Sequence, residues 1–206
     1  MLKLRNGLLA AVAAVVALGV TGCQYDSVRI DPASNAGLTT VDDINFKDWQ
    51  IAAEKGVNSL LQSGVLRRPD GRKTIVMVST VKNSTAQHIN TNILTDKIRQ
   101  AILRSGMAMT TTAVSGAGPE DAASKQVRQL NADPMFNQST VQQNGTAIAP
   151  DMSLAGEIIQ QQTQAGSRVE SYFFFHMTMT DLKTGLAVWE DNVEIAKQGR
   201  TAGVGW

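Results

Sequence analysis

Cysteine is almost absent from this 206-residue chain: there is one, Cys23. A single thiol excludes an internal disulfide and every zinc site built from paired cysteines. Histidine is nearly as scarce. His88 falls in a polar loop and His176 in a strand-like run, with no third ligand at a recognisable spacing, so neither a metal nor a cofactor is expected. Aromatic residues make up 5% of the chain and are not interleaved with a stripe of Arg and Lys, which leaves no groove for stacking bases. An excess of one charge is missing too. Two of the 19 basic side chains, Lys3 and Arg5, stand at the very start, leaving 17 against 18 acidic ones and no long-range field toward nucleic acid. Catalytic signatures are also wanting: no Gly-x-Ser-x-Gly elbow, no Walker-type Gly-Lys-Ser/Thr and no Gly-x-Gly-x-x-Gly opening a helix. A protein that is not an enzyme and takes no small-molecule substrate is therefore expected. A glycan-cleaving activity stays as an outside alternative, because the spatial pairing of carboxylates cannot be seen in a linear chain.

Long apolar runs are missing except one. From Leu8 to Val20, about 13 residues, the chain is apolar behind Lys3 and Arg5, which suits a signal-peptide core and falls short of the ~20 residues of a membrane span. The run closes on Val20-Thr21-Gly22-Cys23, which resembles the bacterial lipobox. Residues 1–22 are read as a signal peptide and Cys23 as the acylated first residue of the mature chain, an anchor that also removes a free thiol from an oxidising compartment. The alternative is an ordinary secretory peptide cut elsewhere, with a chance cysteine. Gln24 follows, not the Asp that resembles an inner-membrane retention signal, so the outer membrane, periplasmic side, is expected.

From 23 to 44 the chain is polar and aperiodic, with Pro32 its single proline, and reads as a lipidated start and flexible tether. Its reach is at most about 70 Å extended and about 25 Å as a coil. The remainder, 45–206, is apolar enough to form one domain. Asn45 and Asp48 suit a capping box opening a helix that stops at Gly64, with Trp49, Ala52, Ala53, Val57, Leu60 and Leu61 on one face. The basic loop 67–73 reads as a solvated turn, with a grip on anionic lipid or an acidic partner as the alternative. Lys73 to Val81 reads as a central strand covered on both faces. A second amphipathic helix spans Ile93 to Ser105, a second strand Met107 to Val114, and a weak helix Glu120 to Asn131. Residues 132–150 show no pattern. Three strands then follow, Met152–Gln162, Arg168–Thr180 and Leu186–Ala196, joined by Gly-containing turns. Alternation places Phe173, Phe175, Met177 and Met179 in the core, with Tyr172, Phe174, His176, Thr178 and Thr180 opposite. The opposite set is read as half covered by a helix, with a recognition surface as the alternative, and Trp189 as a core plug. The order predicts an α/β domain with a mixed sheet of four to five strands flanked by helices.

The C-terminal third carries a resemblance. The stretch Leu154-Ala155-Gly156-Glu157-Ile158 and the Thr184-Gly185 turn leading through Leu186-Ala187-Val188 to Trp189 are similar to motifs of the LpoB-like family of outer-membrane lipoproteins. The resemblance covers about residues 45 to 198 and implies a TolB N-terminal-like fold. It also implies a regulator that docks on a bifunctional class A penicillin-binding protein and raises its peptidoglycan-synthesising activity. No partner-binding residue can be carried over. The tether departs from the long, proline-rich one of enteric members, which keeps open a second reading: a structural lipoprotein of a flagellar or secretion-associated envelope assembly.

Overall fold

The computed structural model describes residues 27–32, 34, 37, 39–114, 116 and 120–200; Cys23 and the rest of the leader lie outside them. The chain divides into two units, Met1–Asp31 and Pro32–Trp206. Of the first, only residues 27–31 are described, and they form neither helix nor strand. Every helix and strand among the described residues belongs to the second.

Helix α1 runs from Phe46 to Ser63. Its start is the expected box: Asp48 N–H donates to Asn45 Oδ1 at 3.0 Å, and Asn45 N–H donates to Asp48 Oδ2 at 2.8 Å. It stops at Gly64, whose φ of 75° is left-handed and suits glycine. Strand β1 follows at Thr74–Ser84, then α2 at Asn92–Ser105, ended by Gly106 in the same conformation. Strand β2 is only Ala108–Thr110. The expected strand was longer, but beyond Thr111 the backbone turns on a side chain, with Ala113 N–H donating to the Thr111 hydroxyl. Helix α3, Ala123–Gln129, passes into a 3₁₀ turn at Leu130–Ala132. It starts after the two acids, because the Asp121 carboxylate takes the N–H of Ala123. Residues 133–150 form turns and bends without helix or strand. Strands β3 (Met152–Ala165), β4 (Arg168–Asp181) and β5 (Ala187–Arg200) complete the chain.

The five strands form one mixed sheet in the order β2-β1-β3-β4-β5, parallel where β1 meets β2 and β3, antiparallel beyond. Fourteen residues of β3 pair with fourteen of β4 around a two-residue turn, Gly166-Ser167, with positive φ only at the glycine. That geometry matches the right-handed strand twist. Helices α1 and α2 pack together on one face, over Val76, Leu154, Ile158, Phe173, Phe175, Met177 and Met179. Trp49 meets Phe175 edge-on at 5.7 Å, while Trp189, expected as a core plug, is only partly buried and packs at the margin of this core.

Two expectations are corrected. Strand β1 lies inside the sheet but is not equally covered: Thr74, Val76 and Val78 are buried while Ile75 and Met77 on the other side are half-buried, and the middle strand is β3. Among the described residues no long helix covers the Phe174 side either. A cover would have to come from the connection between β2 and β3. Gly116 of that connection lies against Ser79 of β1, and α3 buries none of its residues.

Candidate functional site

Because strands β3 to β5 are long and pair in continuous register from Arg168 to Met179 of β4, their outward side chains line up in cross-strand rows. Such neighbours stand about 5 Å apart. One row is polar: Lys82, Glu157, His176 and Asn192 cross four strands. Lys82 Nζ meets Glu157 Oε1 at 2.8 Å, and the Ser84 hydroxyl donates to the same carboxylate. Lys82 first, and then Ser84, holds the Glu157 carboxyl below its ordinary range. His176 shares hydrogen bonds through Nδ1 with Asn192 Oδ1 (3.0 Å) and through Nε2 with Thr178 Oγ1 (3.1 Å), while Glu190 Oε1 stands 3.6 Å from Nε2.

The next row is Ser84, Ile159, Phe174 and Glu194, and the one after joins Gln161, Tyr172 and Ala196. Ile159 is 41% exposed and Tyr172 38%, values that mark a surface open to solvent. Val188, unpaired where β4 and β5 shift register beside Met179 and Thr180, is also exposed, at 40%. The face thus has an apolar centre across β3 and β4 with a polar margin, the anatomy of a protein recognition surface.

Away from this face, a groove of about 470 Å³ opens between the start of α1 and the loop before α2. His88 lines it with Ile44, Ile89 and Ile93, above a buried Trp49. The two histidines are therefore in different places. Among the described residues no group of three His, Cys, Asp or Glu could hold a metal.

The basic loop 67–73 is occupied internally. Arg68 and Arg72 both engage Asp70, and Arg68 Nη1 also reaches Asp151 Oδ1 at 2.5 Å. Backbone and guanidinium donors of Arg72, then Arg68, hold the Asp70 carboxyl down to about 2. Asp151 stands immediately before β3. Its second oxygen accepts Ile75 N–H at 2.9 Å, and its carbonyl accepts Leu182 N–H at 3.0 Å, so one residue ties β1, β3 and the β4–β5 turn. The solvated-turn reading holds in part, with a structural staple added.

The polar segment before α1 joins the domain earlier than its composition suggests. Gln162 Nε2 donates to Asp42 Oδ1 at 2.7 Å, Lys197 Nζ donates to the Asp43 carbonyl at 2.6 Å, and Val41 lies against Gly199. Lys197 also meets Asp48 Oδ2 at 2.5 Å with both side chains buried. One ammonium therefore holds this segment, the box of α1 and β5.

Fold and face together define a small single-sheet α/β domain, with α1 and α2 on one side of the sheet and the exposed rows of β3 to β5 on the other. The sequence match makes this particular: the family described as Peptidoglycan-synthase activator LpoB matches residues 48–195, and the chain belongs to that family. Among solved structures it is similar to the LpoB C-terminal domain from Salmonella enterica (15% identity, 72% of this chain and 98% of that one, TM-score 0.43). It is also similar to E. coli LpoB determined by NMR (15%, 87% and 86%, TM-score 0.42) and to lipoprotein GNA1162 from Neisseria meningitidis (11%, 64% and 89%, TM-score 0.34). No curated protein matches. Among the described residues no helix is long and apolar enough to cross a membrane.

Proposed function

We propose that the chain is an outer-membrane lipoprotein, acylated on Cys23 and facing the periplasm, that binds a bifunctional class A penicillin-binding protein and raises its activity. The observation that carries this reading is the family match over residues 48–195. The uncovered sheet face supports it, since an activator needs a surface and no reacting groups of its own. Activation by binding is a shift of population: the domain favours the synthase's active conformation and can change activity only by the difference in affinity for the two states. Adding the soluble mature chain, residues 24–206, to the purified synthase should raise the rate of glycan polymerisation. An unchanged rate at saturating chain counts against the proposal. Mass analysis of the native protein should find its first residue to be a lipid-modified Cys23.

The structural-lipoprotein reading keeps one observation in its favour. With Val41, Asp42 and Asp43 held on β3 and β5, the end of the tether expected at 23–44 belongs to the domain, which shortens the reach away from the membrane.

A further inference from the structure

We infer that the outward face of β3, β4 and β5 is the synthase-docking surface, and that it receives a basic patch whose arginine stacks on Phe174 and Tyr172. This rests on the activator reading above and adds to it the place and the chemistry of contact.

The face is distinguished by alignment. Ile159, Phe174 and Tyr172 occupy adjacent rows of two paired strands, so their side chains form one apolar centre on a rigid support. Around them stand Glu157, Glu170, Glu190 and Glu194, all on the same side of the sheet. Of these four acids only Glu157 has an ammonium partner among the described residues, Lys82. Glu170 accepts from Gln198 Nε2 at 2.7 Å and from the Tyr172 hydroxyl at 3.3 Å, neutral donors that leave its charge in place. Glu190 faces the His176 ring at 3.6 Å. Arg168 and Arg200 lie opposite one another two rows beyond Tyr172, at the end of the hairpin, outside the ring of acids. The centre is therefore aromatic and its rim net acidic. A guanidinium suits both, because it stacks on an aromatic face while donating to carboxylates at the ring edge. An apolar patch alone would suit many partners; the acids select a basic one.

Binding of the mature chain to the synthase, measured at two salt concentrations, tests this with three variants. Phe174→Ala should weaken binding about tenfold or more, as loss of a central anchor does. Glu190→Lys with Glu194→Lys should weaken it at low salt by a similar factor and flatten the salt dependence. Glu54→Lys, on the exposed side of α1, should bind as the parent does. Melting temperatures establish that each variant is folded. A photo-crosslinker at Tyr172 in the full-length chain, compared with one at Glu54, gives a readout free of folding effects: the adduct from Tyr172 should contain the synthase. Unchanged binding of all three variants, or a synthase adduct from Glu54 alone, overturns the surface while leaving the activator reading in place. An adduct from Tyr172 made of two copies of this chain overturns it in favour of self-association. A parent chain that does not bind the synthase sinks both.

Discussion

At the scale of single residues, the tightest constraint is around Met177. Its side chain fills the space over Gly156, its partner across β3 and β4, and reaches Gly56 on α1. A Cβ at Gly156 would lie 2.9 Å from the His176 carbonyl oxygen, which is backbone and cannot swing away. Gly156→Ala should therefore cost about 1–3 kcal/mol, read as a lower denaturant midpoint. At Gly56 the nearest atom is the flexible Met177 Cε, so helix propensity partly offsets the clash there. Lys197 is a different case. Removing its charge leaves the buried Asp48 side chain without its ammonium partner, and Lys197→Met should cost about 3 kcal/mol. Adding Asp48→Asn to it should recover part of that loss, and a double-mutant cycle reads the difference. Acid should act through Asp70, held at about 2 against an ordinary 3.8, with Glu157 and Asp181 shifted in the same direction by their donors. A carboxyl lowered on folding stabilises the native state above its unfolded value and loses that contribution as the pH falls through its folded value. Stability should thus hold from neutral pH to about 4 and decline from 4 toward 2, and Asp70→Asn should show a shallower decline in chemical unfolding across that window.

At the scale of elements, what could be read from the chain was what depends on neighbours in sequence. The capping box at Asn45 and Asp48, the glycine stops at 64 and 106 and the three C-terminal strands all rest on spacings of a few residues. The division of β4 into Phe173, Phe175, Met177 and Met179 against Tyr172, Phe174 and His176 was equally legible, because alternation is local. Which set would meet the helices was legible for the core side only. Alternation gives two faces, and the number of helices on each follows from the path of the connections, here a β2–β3 segment whose α3 buries none of its residues. The staple from Arg68 to Asp151 and the clasp from Lys197 to Asp43 and Asp48 join residues far apart in the chain, and no local pattern announces them. They carry the candidate site indirectly: the first ties the start of β3 to β1, the second fixes β5 against α1. The docking face depends on the register of both strands.

At the scale of the whole molecule, the two functional readings differ in what they require of distance. An activator anchored at Cys23 must bring the β3–β5 face to a synthase in another membrane, and the clasp at Val41 to Asp43 takes the end of the expected 23–44 tether into the domain. A structural lipoprotein packs against neighbours near its own membrane, where extra length loosens the assembly. Inserting about 15 Gly and Ser residues after Gln24 separates them, since a flexible insert of that size adds on the order of 20 Å of average reach without touching the domain. Under the activator reading, peptidoglycan synthesis in cells carrying the insert should be equal to or above that of the parent, and deletion of residues 25–36 should abolish the stimulation while the purified domain still activates in solution. Growth or envelope defects from the insert with normal synthase activity would favour the assembly reading. The comparison isolates reach from binding, because the anchor, the clasp and the open face are the same in every chain tested.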